Sequence, residues 1–418
     1  MAFLLAACAT MEGGVSHQID AIAEDYVRLV LEIDTYEPGY VDAYYGPAEW
    51  REAAKAAPRS RDALKAAADG LLTRLASYSA PDEASGLRAR VLTANIASAR
   101  FRLDMIDGVR ALFADEAEKL FALRPELKPL ATYDDALARL ETIVPGDGPL
   151  SERVQAFRAR FSIPSERLDA VMHAAIAECR RRTAAHIKLP EGESFSMELV
   201  KDKSWGAYNY YLGNNRSLIQ INTDLPVSIG NALVLGCHEG YPGHHIQGIY
   251  NERNYRSKGW VEYSVAPLYA PAAPLNEGGA DFGVDLAFPD DERLAFEMQV
   301  LYPLAGLDPA TAPAFDALRR ATMELDGALL TISQMHLDNL ISHEEAITLS
   351  QKYRLVPRAS AEQSMDFETE YRSYVINYSA GEALVRDYVD RVGHDPAARW
   401  AAYEHILSTP TLPSDLKP

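Results

Sequence analysis

Eight consecutive residues, His238-Glu239-Gly240-Tyr241-Pro242-Gly243-His244-His245, hold three of the ten histidines in this 418-residue chain. A carboxylate stands beside the first of them, at the end of an apolar run. Neutral imidazoles are zinc ligands, and an unligated Glu next to them can take the proton from a metal-bound water. The residue types therefore point to metal-assisted hydrolysis. A nucleophilic serine triad is not indicated, because no Gly-x-Ser-x-Gly elbow is present.

The spacing sets a condition on the backbone. Residues four apart on a helix share a face, which is how an H-E-x-x-H motif brings two imidazoles to one ion. Here the second histidine is six or seven positions on. Six positions rotate by about 600° and face away; seven restore the face but rise about 10 Å. Bonds near 2 Å to zinc do not span that rise. Pro242-Gly243 supplies a break, since Pro removes a helical donor and Gly tolerates unusual dihedrals. If two residues loop out, His238 and His244 become the equivalent of an i, i+4 pair. His244 is then the second ligand, and His245 contacts a ligand from behind or touches substrate. The alternative is a kinked helix whose histidines merely satisfy hydrogen bonds.

The elements around the motif are mostly helical. Apolar residues from Ile19 to Ile33 recur at helical spacing, predicting a helix from about Val15 to Asp34. Turn signals follow at Tyr36 to Tyr40 and Tyr44 to Pro47; this tyrosine group either lines a cleft or packs as loop aromatics. Residues 60–185 read as helices broken at Pro81, Pro125, Pro145-Gly146 and Pro164, with no fixed-period repeat. The texture changes near Pro190. Ser194 to Val200, Tyr208 to Leu212 and Ser217 to Asn222 read as strands, with Gly213-Asn214-Asn215 as a turn. Helices resume at Ile229, and the tail after Ser408 reads as loose. The expected fold is mainly α with a small β-sheet. The chain divides into a possible truncated signal at 1–14, a helical part at 15–190 and a catalytic part at 191–418, the last two packed as one unit.

Downstream lies Leu275-Asn276-Glu277-Gly278-Gly279-Ala280-Asp281. This resembles the N-E-x-x-x-D helix of thermolysin-type gluzincin metallopeptidases, residue by residue at Asn276, Glu277 and Asp281. The resemblance implies Glu277 as third metal ligand and Asp281 as the group that hydrogen-bonds a ligating imidazole and fixes its tautomer. The whole motif, continued to Ile246-Gln247, is similar to a bacterial family of unknown function with the signature H-E-x-x-P-G-H-H-x-Q, grouped with zincin-type metallopeptidases. The likeness extends to Asn215-Arg216-Ser217, Ile221-Asn222-Thr223 and Ala380-Gly381-Glu382-Ala383. It covers the second half well and the first half loosely. It implies a zincin-like architecture, Zn²⁺ as cofactor and, in many members, export or lipid anchoring. Two departures stand out. Gly279 occupies a position where Trp is usual, which would reshape a pocket wall, and Ala380 and Glu382 replace Pro and Gln.

Composition narrows the partners. The formal charge of −19 repels phosphates, so nucleic acid is not an expected partner, and anionic membranes gain nothing by charge. No stretch approaches the ~18 apolar residues of a membrane span. Leu5-Ala6-Ala7-Cys8 resembles a bacterial lipobox, although basic residues and a longer apolar core upstream are missing. The expected location is the cell envelope, with tethering through a lipidated Cys8; the alternative is cytoplasmic. Three cysteines make no disulfide framework, and Cys237 reads as a small buried thiol.

The expected mechanism follows. His238, His244 and Glu277 hold Zn²⁺, and Glu239 is the general base. An oxyanion donor comes from the C-terminal helix, with Tyr378 first and Tyr374 and Arg372 as alternatives. The strand Ser217 to Asn222 offers its edge to an extended peptide. The substrate is a peptide or another small amide. The rival readings are a zinc hydrolase of esters or non-peptide amides and a non-catalytic binding protein on the same fold.

Overall fold

The computed structural model describes the backbone of residues 3–203, 205–289 and 291–418, and side chains from residue 18 onward within these. The lipobox, Cys8 included, lies outside the described side chains. The chain is mainly helical with two small sheets. No helix among the described residues is long and apolar enough to cross a membrane.

The first helix, α1 (Phe3–Ile33), buries Ile19, Ile22, Tyr26, Val27, Leu29, Val30 and Ile33, as the 3.6-residue periodicity requires. It leads into β1 (Val41–Tyr44), which pairs antiparallel with a distant strand at residues 265–267. Then come α2 (Glu83–Ile106) and, beyond several shorter helices, α3 (Ser165–Ala184). A three-stranded sheet follows, of β2 (Ser194–Val200), β3 (Ala207–Gly213) and β4 (Arg216–Asn222), in the order β2-β4-β3. β2 is parallel and β3 antiparallel to β4. The β3–β4 turn places Asn214 and Asn215 at φ 53° and 57°, the left-handed region Asn tolerates in a tight hairpin. The motif is carried by α4 (Ile229–Glu239) and α5 (His244–Lys258). The strand β5 (Val265–Pro267) then pairs with β1, and α6 (Ala273–Ala287), α7 (Ile376–Val392) and α8 (Pro396–Ser408) complete the surroundings of the site.

Three apolar cores hold the elements together, and each mixes early and late segments. One unites α3 with β4, α4, α5, α6 and α8. A second joins α1 and α2 to Val265, Tyr269, Ala273, Leu330 and Tyr374 to Ile376. The third packs residues 133–154 on residues 318–365. The boundary expected at residue 190 therefore has no counterpart in the packing: α3 belongs to the core beneath the motif. Cys179 on α3 is bonded to Cys237 on α4. That corrects the reading of Cys237 as a free thiol. The tail is not loose either. Leu412 and Leu416 are buried, and Asp415 pairs with Arg90 at 2.9 Å.

Helices α6 and α7 touch at glycines. A Cβ on Gly278 would lie 2.0 Å from the carbonyl carbon of Gly381, and one on Gly381 would lie 2.3 Å from Pro274 O. Only glycine permits that approach. Ala380-Gly381-Glu382-Ala383 thus serves to seat α7 against the helix that bears Glu277 and Asp281.

Candidate metal centre

Helix α4 ends at Glu239 and α5 begins at His244. The amide of Gly243 donates to Cys237 O at 3.1 Å, six residues back instead of four, and the amide of Gln247 donates to Gly243 O at 3.1 Å. Two residues are looped out, and the helical ladder then resumes. His244 therefore stands where a residue four beyond His238 would stand, on the same face. A Cβ on Gly243 would fall 1.9 Å from His238 O, so the re-entering chain must be glycine there. The hydroxyl of Tyr403 on α8 donates to both Pro242 O and Gly279 O at 3.1 Å, fastening the bulge to α6.

This backbone brings three donors together. His238 Nε2 lies 3.5 Å and His244 Nε2 3.7 Å from Glu277 Oε2, and the three ligand atoms lie within 4.8 Å of one another. Tetrahedral zinc with bonds near 2 Å separates its ligand atoms by about 3.3 Å, so small adjustments suffice. Both tautomers suit an ion. His238 Nδ1 is 2.7 Å from Asp281 Oδ1, to which it donates, leaving Nε2 free. His244 Nδ1 is 2.8 Å from Gln247 Oε1, while Gln247 Nε2 donates to Asn276 O at 2.7 Å. That second bond turns the amide oxygen toward His244. The Tyr374 hydroxyl donates to Glu277 Oε1 at 2.9 Å, leaving Oε2 to the cluster.

The electrostatics favour a cation. Burial pushes the His238 imidazole down, but Asp281 and Glu277 outweigh it and hold it well above its ordinary value. Glu277 raises His244 against burial in the same way. Burial raises the Glu277 carboxyl, yet the two imidazoles hold it well below the carboxylate range. Glu239 is raised, chiefly by burial, with the imidazoles pulling it back. Its Oε2 is buried with no hydrogen-bond partner, while its main-chain oxygen accepts from Asn209 Nδ2 on β3 at 2.5 Å. An unpaired carboxylate oxygen beside a N, N, O donor set fits a zinc ion with a water to be deprotonated.

The cluster opens on a cavity of about 1010 Å³, at the upper end for ligand pockets. Its lining includes His238, Glu239, His244, Glu277, Asp281, Tyr374 and Tyr378, and from the first half of the chain Tyr40, Tyr44 and Tyr45. Tyr378 stacks edge-on with Tyr374, centroids 6.1 Å apart. Burial and the nearby carboxylates push its phenol well above its ordinary value, so it stays a donor.

Several expectations need correcting. His245 is fully buried and turned away from the cluster: Nδ1 lies 2.7 Å from Ser217 Oγ and Nε2 3.2 Å from Glu193 Oε2. Arg372 pairs with Glu116 at 2.7 Å and does not line the cavity. β4 is the central strand, paired on both sides, and offers no edge; of the three-stranded sheet it is β3 that lines the cavity. A side chain at Gly279 would meet Tyr403 and Gln247, so that position faces the interior and not a pocket wall. The sequence reading named Gln247 only as the end of the motif, with no role, and missed Tyr403. Gln247 carries a local signal, three residues after His244 on one helix; Tyr403 carries none.

No family model matches the chain, and no curated protein matches it. Among solved structures it is similar to "the putative lipoprotein from Colwellia psychrerythraea", with a TM-score of 0.53, 14% identity, and coverage of 85% of this chain and 68% of that one. It is also similar to a "putative lipoprotein of unknown function from Shewanella oneidensis", with a TM-score of 0.47, 13% identity, and coverage of 86% and 75%. At these identities the first likeness concerns the fold alone.

Proposed function

We propose that this chain is a zinc-dependent hydrolase of the zincin type, and that its substrates are peptides. The observation that carries the proposal is the convergence of His238 Nε2, His244 Nε2 and Glu277 Oε2 within 4.8 Å, beside the unpartnered Oε2 of Glu239. Zinc, when bound, supplies Lewis acidity, polarising the scissile carbonyl and bringing the pKa of a water toward about 7. Glu239 takes the proton of the attacking water. Its burial suits it to hold that proton and pass it to the leaving amine. Tyr378 donates a hydrogen bond to the oxygen that gains charge on the substrate carbonyl. Asp281, Gln247 and Tyr374 keep the three ligands in orientation. β3, an edge strand at the cavity, accepts an extended peptide by main-chain pairing.

We place the protein in the cell envelope. Three observations support this: the lipobox-like Leu5 to Cys8, the Cys179–Cys237 bond, which belongs to oxidising compartments, and a fold shared with a protein described as a lipoprotein. The test of function is Glu239→Gln in zinc-loaded protein. Turnover of a peptide library should vanish with zinc still bound. Undiminished turnover contradicts the assignment.

A further inference from the structure

The cavity wall has an uneven chemistry. Among the described residues that line it there is no lysine and no arginine, while aromatic rings and carboxylates are abundant. Most of those carboxylates have partners. Glu37 is paired with Arg102, and Glu262 with Arg88. Glu277 and Asp281 face the two imidazoles. Glu239 stands beside the three-donor cluster as the proposed base, and Glu370 accepts a hydrogen bond from its neighbour Tyr371. Asp42 makes no ion pair among the described residues, and its side chain, open to the cavity, accepts the hydroxyl of Tyr208 from β3. It is outside the three-donor cluster, yet its charge acts on Tyr374 and Tyr378 and feels His244 and Glu277.

The backbone presents Asp42 in a particular way. In the β1–β5 pair, Val41 faces Pro267 and Ala43 faces Ala266. Consecutive residues on β5 thus span three on β1, and Asp42 is the extra one. A bulge of this kind re-aims a side chain out of the regular pleat, and bulges concentrate beside active sites. Although its surface opens to the cavity, the protein packed around its carboxyl desolvates it and raises it from its ordinary range; Tyr208 and His244 pull it back and Glu277 opposes them.

We propose that Asp42 receives the protonated α-amine of the substrate, so that the enzyme acts on peptides with a free N-terminus and cuts close to it. The proposal rests on the hydrolase reading above. An α-ammonium lies next to the first peptide bond, which suits a carboxylate held near the metal cluster; the aromatic walls take the adjoining side chains, and Tyr208 orients Asp42. At pH 7 most α-amines are protonated, with pKa values of about 7.7–8.0.

The test uses full-length, zinc-loaded Glu239→Gln protein, so binding is read without turnover. The probes are a tetrapeptide containing phenylalanine with a free amine, its N-acetylated twin, and an N-acetylated version carrying a lysine. Calorimetry should give binding of the free-amine peptide roughly 10- to 100-fold tighter than its twin, the range for a charge-assisted hydrogen bond. Adding Asp42→Asn should remove that preference without changing the affinity of the acetylated twin. Tyr208→Phe should reduce the preference by a smaller factor, and it serves if Asp42→Asn misfolds. Equal binding of the first two peptides, binding of neither, tighter binding of the lysine peptide, or an amine preference that survives Asp42→Asn overturns the proposal. An amine preference with no turnover by zinc-loaded wild type leaves Asp42 as the amine anchor and instead refutes the hydrolase reading.

Discussion

His244 and His245 are adjacent in the chain and belong to different structures. His244 faces the cavity, is partly exposed, and points Nε2 at Glu277. His245 faces the interior and closes a buried clasp: Glu193 receives His245, the Tyr241 hydroxyl at 2.5 Å and Arg180, while Ser217 meets the other ring nitrogen. One side of the bulge keeps polar atoms unpaired, with Glu239 Oε2 as the clearest case. The clasp residues on the other side have their polar groups paired. The contrast shows how the looped-out turn is held: the clasp and the Tyr403 bonds fix the bulge from behind, so the front can present open valences without collapsing.

The comparison can be broken in several ways. The largest expected effect is kinetic. Glu239→Gln should lower kcat on the order of 10²–10⁴-fold, the usual worth of a general base, with little change in thermal midpoint. A kcat within a few-fold of wild type would remove Glu239 from that role. Next comes stability behind the bulge. Reducing the Cys179–Cys237 bond, which closes a 58-residue span, should cost about 4 kcal/mol by chain entropy, as read by urea unfolding. His245→Leu should cost roughly 2–4 kcal/mol, because Glu193 and Ser217 lose a buried partner. Activity loss without destabilisation would assign His245 to the front.

Acid should expose the clasp separately. Burial pushes the Glu193 carboxyl up, but His245, Tyr241 and Arg180 together hold it at about 2. Its value in the unfolded chain is about 4.3. The folded value is the lower one, so its stabilisation is complete above the unfolded value and fades as pH falls from about 4.3 to about 2. Glu193→Gln should be less stable at neutral pH and show a flatter acid-unfolding curve in that window; an unchanged curve would mean that the clasp is not ionic. The smallest effect is Tyr374→Phe. Freeing Glu277 Oε1 should weaken zinc affinity roughly tenfold, as measured by chelator competition.

Much of the local architecture was readable. Ser194 to Val200 alternates polar and apolar and is a strand over those residues. The two-residue bulge follows from the His238–His244 spacing and Pro242-Gly243, because helical rise and rotation leave few other ways to align the imidazoles. What escaped the reading depends on distant partners. Cys237 gives no sign that Cys179 lies opposite, and Tyr403 meets Pro242 across 161 residues. Asp42 looks like an ordinary loop acid until the β1–β5 register is known. Ser217 to Asn222 was identifiable as a strand, but its central position was not, since strand order is set by tertiary packing and not by the alternation within the strand.

Zinc content, measured on wild type, His244→Ala and His245→Leu after identical metal exposure, tests the central claim most directly. One zinc per chain in wild type and His245→Leu, with none in His244→Ala, is the predicted result. Wild type without zinc after reconstitution, or His244→Ala that retains it, would contradict the metal centre drawn from these residues.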